Sequence, residues 1–573
     1  MSDQSDAANE FARRKLGSDV DAAAAASGLA VVPAPQEDNG LGKRPWVELP
    51  GRGNRDLSDF AKDLARHLAV APIFRRENLI VTVDAQTGSL RLMSAERFLT
   101  WVADQVVIYE IVSVKVGKGR EDHNVRRSMN LSTARACLES DAFYGGLREL
   151  TRVNLVPMPA MRKDGRIELL QKGYDPESGI FTLVGGVKID DTVTIDQARA
   201  LLNDYYGDFP WADVDAATGL SRSKAVAITL ALALFGIGLQ KVEAARMGFV
   251  TRANTQGGGK SLSTQIGISA SFGLPKGTPR ANEEEMRKVL DAAAMQGASY
   301  LFFDNLKHHL ESALLEAFMT SPVWSGRVMA TQTFFEAKKS TVLLITGNNL
   351  TLSPDLQRRV LQCDLHVENF DLQEQTHRRE LNPVVLSAPA VQSEFLSALW
   401  AIVRHWDGAG RPPASLNGKP YRVATFAEWS DLFGGMVEAA GWGNPLLKPS
   451  EDQMADQKTP HQRMLVELLA GGIEEGKNTI EFTFQELIDC CWENDLFAWL
   501  LEGTPKDRGE GKPQMFEVKS KCASKMGKMF TDEMSGRLGR VYSIKGNRRV
   551  RFVKKGDGRL KRYCLDLLPA KTV

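Results

Sequence analysis

Asn254-Thr255-Gln256-Gly257-Gly258-Gly259-Lys260-Ser261 is the stretch on which the reading of this chain turns. Ahead of it, Met247-Gly248-Phe249-Val250 is a short, mostly apolar run that reads as a strand; behind it, Leu262 to Ile268 reads as a helix start. Strand, glycine-rich loop, Lys-Ser and helix is the layout of a phosphate-binding loop. Consecutive glycines let backbone N–H groups point at phosphate oxygens, and the helix N-terminus adds the positive end of its dipole. In the pattern GxxxxGK[ST] the lysine reaches the β/γ-phosphates and the hydroxyl holds Mg²⁺. The candidate nucleotide-binding residues are therefore Asn254, Gly257, Gly258, Gly259, Lys260 and Ser261. Asn254 stands where the pattern has its first glycine, and asparagine tolerates a left-handed backbone. The competing reading is a flexible basic loop.

Two further runs narrow the choice. Tyr300-Leu301-Phe302-Phe303-Asp304-Asn305 places Asp304 forty-four residues after Lys260. Four apolar residues ending in Asp have the form of a buried parallel strand that delivers a carboxylate to its C-terminal end, where α/β sheets bind ligands. Asp304 would hold Mg²⁺ through water, together with Ser261. Val342-Leu343-Leu344-Ile345-Thr346-Gly347-Asn348-Asn349 is a second such strand, with Asn348 another forty-four residues on. Eleven residues later comes Arg359. Loop, strand, strand and arginine in this order are far more specific than any one piece.

With these motifs the chain resembles the AAA+ ATPases of phages, plasmids and integrated islands, close to superfamily 3 helicases and MCM-like replicative helicases. The resemblance covers residues 205–370 well and the flanks loosely. It implies that Gly257 to Ser261 are Walker A, Asp304 Walker B, Asn348 sensor 1, and Arg359 an arginine finger acting on a neighbouring subunit's nucleotide. Arg358 is the weaker finger candidate. A finger supplied in trans implies a ring, most often a hexamer. A guanidinium against the γ-phosphate stabilises charge developing in the transition state.

One position departs from the family. Where a second acid is expected stands Asn305. Asparagine can orient water but cannot take its proton. Glu284 or Glu285, in the run Glu283-Glu284-Glu285 ahead of a helix, is the candidate base. The alternative is an acidic helix N-terminus that complements the dipole. Glu316 is a weaker candidate. Between Asp304 and Asn348, the runs 327–333 and 334–340 read as a hairpin. In the resembled rings a hairpin here grips one DNA strand. Lys338 and Lys339 would bind phosphates, and Phe334 or Phe335 would stack on bases. The alternative is that the phenylalanines are core and the lysines a solvated turn.

Composition sets the outer bounds. The 573 residues suffice for three or four domains; 43% hydrophobic and 25% charged residues are those of a globular protein. Net charge is +1, which excludes a general polycation. The charge is nevertheless uneven: Lys519 to Arg562 holds 15 Lys/Arg against three acids. Six cysteines form no CxxC and have no histidine at zinc spacing, so they read as thiols of a reducing compartment. The N-terminus is polar, so no signal peptide is expected. The longest apolar run, 225–239, is too short to cross a bilayer and reads as a core helix. The expectation is a cytoplasmic protein with no membrane partner.

The expected architecture is multidomain α/β: an AAA+ P-loop ATPase core with a parallel sheet, an α+β N-terminal domain and a C-terminal winged helix. Residues 1–45 read as a disordered tail, 46–200 as a DNA-binding domain or ring collar, 201–385 as the ATPase, 386–455 as a helical lid, and 456–573 as the winged helix. In the last, Thr483 caps a helix from Phe484, a third helix carries Lys521, Lys525 and Lys528, and strands bearing Arg548, Arg549 and Arg551 form the wing. The alternative is a basic face that binds nothing specific. The functional expectation is a ring-forming, DNA-dependent ATPase, the replicative helicase of a phage or mobile element. It would use ATP and Mg²⁺, bind single- and double-stranded DNA, and work with a primase or other replication proteins. The alternative is an ATP-gated origin-binding factor or a defence-type nucleotide switch with little unwinding.

Overall fold

The structure is a computed structural model that describes residues 44–50, 55–116, 119–253, 257–278, 283–327, 334–367, 377–447, 458–473, 477–497, 501–506, 515–535, 540–544, 548–555 and 562–568. The tail expected over 1–45 lies almost wholly outside these residues, as does Asn254.

The centre is a mixed α/β layer built on a five-stranded sheet, every neighbouring pair of which is parallel. Its strands are β1 (Gly248–Ala253), β2 (Gly277–Thr278), β3 (Tyr300–Leu310), β6 (Val342–Leu352) and β7 (Val360–Leu365), in the order β2-β3-β6-β1-β7. Between β3 and β6 a hairpin intervenes, formed by β4 (Val323–Arg327) and β5 (Phe334–Lys338).

The apolar runs of these strands make a sheet buried on both faces, as parallel sheets require. Successive side chains go to opposite sides. Phe249, Phe302, Val342, Leu344 and Leu361 enter one core; Val250, Leu301, Phe303, Leu343, Ile345 and Val360 enter the other. Over the first face lie α1 (Arg222–Phe235), α2 (Lys260–Phe272) and α5 (Pro389–Gly408). Helix α1 is the apolar run expected as a core helix, and every residue from Ala225 to Phe235 is buried. Among the described residues no helix is long and apolar enough to cross a membrane. Over the second face lie α3 (Glu283–Gln296), α4 (Ala313–Thr320) and the hairpin.

The first core also takes in Val156, Met158, Val187 and the helix Ile195–Tyr206, so part of the segment assigned by sequence to 46–200 packs against the central sheet. Upstream, Phe60, Leu64, Phe98 and Phe143 form a separate core beneath the strands Trp46–Glu48, Val107–Val116 and Gly119–Arg126.

The C-terminal segment has its own core, including Leu465, Leu487, Met526, Phe552 and Tyr563. Helices α6 (Lys458–Ala470), α7 (Phe484–Glu493) and α8 (Ser520–Lys528) accompany an antiparallel sheet of β8 (Thr479–Thr483), β9 (Arg540–Ile544), β10 (Arg548–Lys555) and β11 (Arg562–Leu568), ordered β8-β11-β10-β9. Thr483 caps α7 as expected. Its hydroxyl accepts the Glu486 N–H, and the Glu486 carboxylate accepts the Thr483 N–H in return.

Candidate nucleotide site

Strand β1 runs into the loop, and the loop into α2. Gly257 and Gly259 have φ of 76° and 84°, a conformation glycine adopts freely. A Cβ on Gly259 would stand 2.9 Å from the Phe209 ring. Gly259 is the N-cap of α2 and, among the described residues, no side chain caps that end, which leaves first-turn N–H groups to face an anion. Lys260 opens the helix and is buried. Burial pulls its ammonium below the usual lysine range, and the Asp304 carboxylate opposes that shift.

The sheet order decides what meets this loop. Because β6 lies between β1 and β3, Asn348 pairs with Ala253, the last residue of β1. One strand further, the Ser261 hydroxyl donates to Asp304 Oδ1 at 2.6 Å. Thus Lys260, Ser261 and Asp304 gather at the C-terminal end of a parallel sheet, the side on which such sheets bind ligands. A hydroxyl and a carboxylate on facing elements are oxygen donors that suit a hard divalent cation. Asn348 Oδ1 is buried and has no hydrogen-bond partner among the described residues.

Arg359 stands elsewhere. Its carbonyl accepts the Gly248 N–H, which fixes it at the opposite end of the sheet. Five residues of strand at about 3.3 Å each separate it from the loop end of β1. It does not reach the loop of its own subunit, and its Nε has no partner among the described residues. Arg358 is tied to Asp355.

Glu284 and Glu285 are not brought to Asp304. They occupy the first turn of α3, 81% and 55% exposed, and ion-pair with Lys288 at 3.3 and 2.7 Å. This is the arrangement of acids complementing a helix dipole. Glu316 accepts the Ser353 hydroxyl at 2.9 Å.

The hairpin corrects two assignments. Its strands run 323–327 and 334–338, and residues 328–333 lie outside the described ones. Alternation along β5 exposes Phe334 and Lys338 but buries Phe335, which packs with α3, α4 and β3. Phe335 is therefore a core residue and cannot stack on a base. Lys339 is only 6% exposed, with its ammonium 4.7 Å from the Phe318 ring centre, and cannot meet a phosphate. Burial, with Arg246 nearby, lowers it to about 7. Phe334 lies under the Arg327 guanidinium at 4.8 Å.

On α8, Lys521, Lys525 and Lys528 are exposed while Cys522 and Met526 face the core. Arg551 is exposed on β10; Arg548 and Arg549 lie on the same strand, with side chains outside those described. Sequence reasoning missed Thr346, whose hydroxyl donates to Asp304 at 2.5 Å; its only signal was a polar residue near the end of an apolar run.

No known family and no curated protein matches the chain. Among solved structures it is similar to the apo C-terminal region of NrS-1, at 11% identity over 74% of this chain and 98% of that one, with a TM-score of 0.30. It is also similar to Cch of SCCmec type IV, an active helicase, at 13% identity over 78% and 94%, with a TM-score of 0.26. Likenesses this loose assign neither fold nor activity.

Proposed function

We propose that this chain is a ring-forming, DNA-dependent ATPase that works as a replicative helicase of a phage or mobile element. The observation that carries the reading is the meeting of Ser261 with Asp304 beside the left-handed Gly259 and the open N-terminus of α2. In this reading Gly257 to Lys260 bind the phosphates of ATP, and Ser261 and Asp304 hold Mg²⁺. Mg²⁺ held there would neutralise phosphate charge. Asn348 orients the water through its amide oxygen, which has no hydrogen-bond partner among the described residues. Arg359, too far from its own loop, serves the nucleotide of the next subunit, which makes a hexameric ring the working form. Lys338 and Phe334 touch single-stranded DNA, and α8 with β10 forms a winged-helix contact to duplex through Lys521, Lys525, Lys528 and Arg551.

Steady-state ATP hydrolysis with Mg²⁺ tests this, measured without DNA, with single strands and with duplex, Lys260→Ala serving as the blank. Stimulation by single strands that the blank lacks, followed by displacement of a forked strand, supports it. Hydrolysis no greater than the blank in all three conditions refutes it. Asn305 favours a second reading, an ATP-gated origin-binding factor that hydrolyses slowly. Sequence-specific duplex binding with little unwinding distinguishes that reading.

A further inference from the structure

At the loop end of β3 the ladder with β6 slips. Phe303 pairs with Ile345 and Leu306 with Gly347, so Asp304 and Asn305 together face the single residue Thr346. Two residues against one is a β-bulge, which bends a strand and re-aims its side chains. The Thr346 hydroxyl spans the bulge: it donates to Asp304 Oδ1 at 2.5 Å and accepts the Asn305 N–H at 2.8 Å. The same Asp304 oxygen receives Ser261 at 2.6 Å. Thr346 is fully buried, so this hydroxyl has no solvent to turn to. Asn305 has φ of 57°, a left-handed conformation that Asn and Gly tolerate and other residues adopt at a cost.

We propose that Thr346 is a positioning residue of the site: its hydroxyl pins the bulge, aims Asp304 at Ser261, and makes 305 a position chosen for its backbone. Asn stands there because the chain is left-handed, and its amide is not a substitute for an acid. A plain ladder would carry the Asp304 and Asn305 side chains to opposite faces of the sheet. The bulge breaks that alternation at the point where the carboxylate must turn toward α2. This inference rests on reading the site as one for ATP and Mg²⁺.

The test is equilibrium binding of a fluorescent ATP analogue to the full chain, with Mg²⁺ and with chelator, for wild type, Thr346→Val, Thr346→Ser, Asn305→Gly and Lys260→Ala. Thr346→Val keeps the shape and removes the hydroxyl. It is expected to lose about tenfold of the affinity gained from Mg²⁺, the scale of one hydrogen bond to a charged group, with metal-free binding unchanged. Thr346→Ser keeps the hydroxyl and stays within about twofold of wild type. A Mg²⁺ gain in Thr346→Val equal to wild type overturns the proposal, as does a loss in Thr346→Ser as large as in Thr346→Val. Asn305→Gly probes the bulge without touching the buried hydroxyl, so it decides even if Thr346→Val fails to fold. Binding within about twofold supports a backbone role, and a tenfold loss overturns it. Wild-type binding that ignores Mg²⁺ and equals that of Lys260→Ala would instead take down the nucleotide-site reading itself.

Discussion

Replacing Lys339 by Met is expected to stabilise the protein, and to do so more at low pH than at high. Burial, with the Arg246 guanidinium close by, brings this ammonium from 10.5 to about 7. Below pH 7 both the folded and the unfolded chain carry the proton, and the folded state bears the whole cost of the buried charge. At 1.36 kcal/mol per pKa unit that cost is about 4–5 kcal/mol, of which the Phe318 face returns about 1 kcal/mol. As pH rises through 7 the folded state sheds its proton, while the unfolded chain keeps one until 10.5. More protons are then bound in the unfolded state, so stability rises with pH across this window. At pH 9 the remaining cost is about 2 kcal/mol. For a cooperative unit of 150–250 residues, each kcal/mol moves the melting temperature by about 2–4 °C. Lys339→Met should therefore melt about 10 °C above wild type at pH 6 and about 5 °C above it at pH 9. Differential scanning fluorimetry across this range reads the gap directly. A gap that does not change with pH, or a Met variant that melts lower at pH 6, would refute the account of a buried, cost-bearing lysine. The same variant should keep any DNA-stimulated hydrolysis, because the side chain does not reach solvent.

Three other outcomes follow from particular side chains. Gly259→Ala places a methyl at φ of 84° and 2.9 Å from the Phe209 ring; it should abolish nucleotide binding by the fluorescent analogue while circular dichroism stays that of wild type. Arg76→Met removes a buried guanidinium that donates to the carbonyls of Ala294 and Met295 at the C-terminus of α3 and to Leu150 and Thr151; a loss of about 3 kcal/mol is expected in urea unfolding, and an unchanged midpoint would show these bonds to be idle. Joint charge reversal at Lys521, Lys525 and Lys528 should weaken duplex binding and lower the salt slope by about one for each phosphate no longer neutralised. If anisotropy titrations give the wild-type slope, α8 is not the surface that meets DNA.

The strands that carry Asp304 and Asn348 are legible because a sheet buried on both faces writes itself as unbroken apolar runs, and the cap of α7 because Thr483 leaves a local signature. What does not show is set by neighbours distant in sequence. Phe334 and Phe335 are the same residue type side by side; only the packing of α3 and α4 beneath the hairpin decides which is core. Lys338 and Lys339 pose the same ambiguity, resolved by Phe318. The role of Thr346 depends on a one-residue slip in a ladder, which no periodicity announces. Glu284 and Glu285 are the exception, since their partner Lys288 is only four and three residues away and the pairing is local. The segment around Val156 and Val187 groups with 46–200 by position in the chain, whereas burial assigns it to the core beneath α1 and α5.

The turn Arg76-Glu77-Asn78 joins two parts of the molecule mechanically. Arg76 grips the last turn of α3, the Glu77 carboxylate takes the Lys338 N–H at 3.1 Å, and the Asn78 amide donates to the Phe334 carbonyl at 3.4 Å. The outer edge of β5 is thereby tethered at both its ends to a hairpin turn some 260 positions earlier in the chain. A stroke of β5 that leaves this turn behind must break those bonds; a stroke that keeps them carries residues 73–83 along as cargo. The N-terminal strands are in that sense the handle of β5.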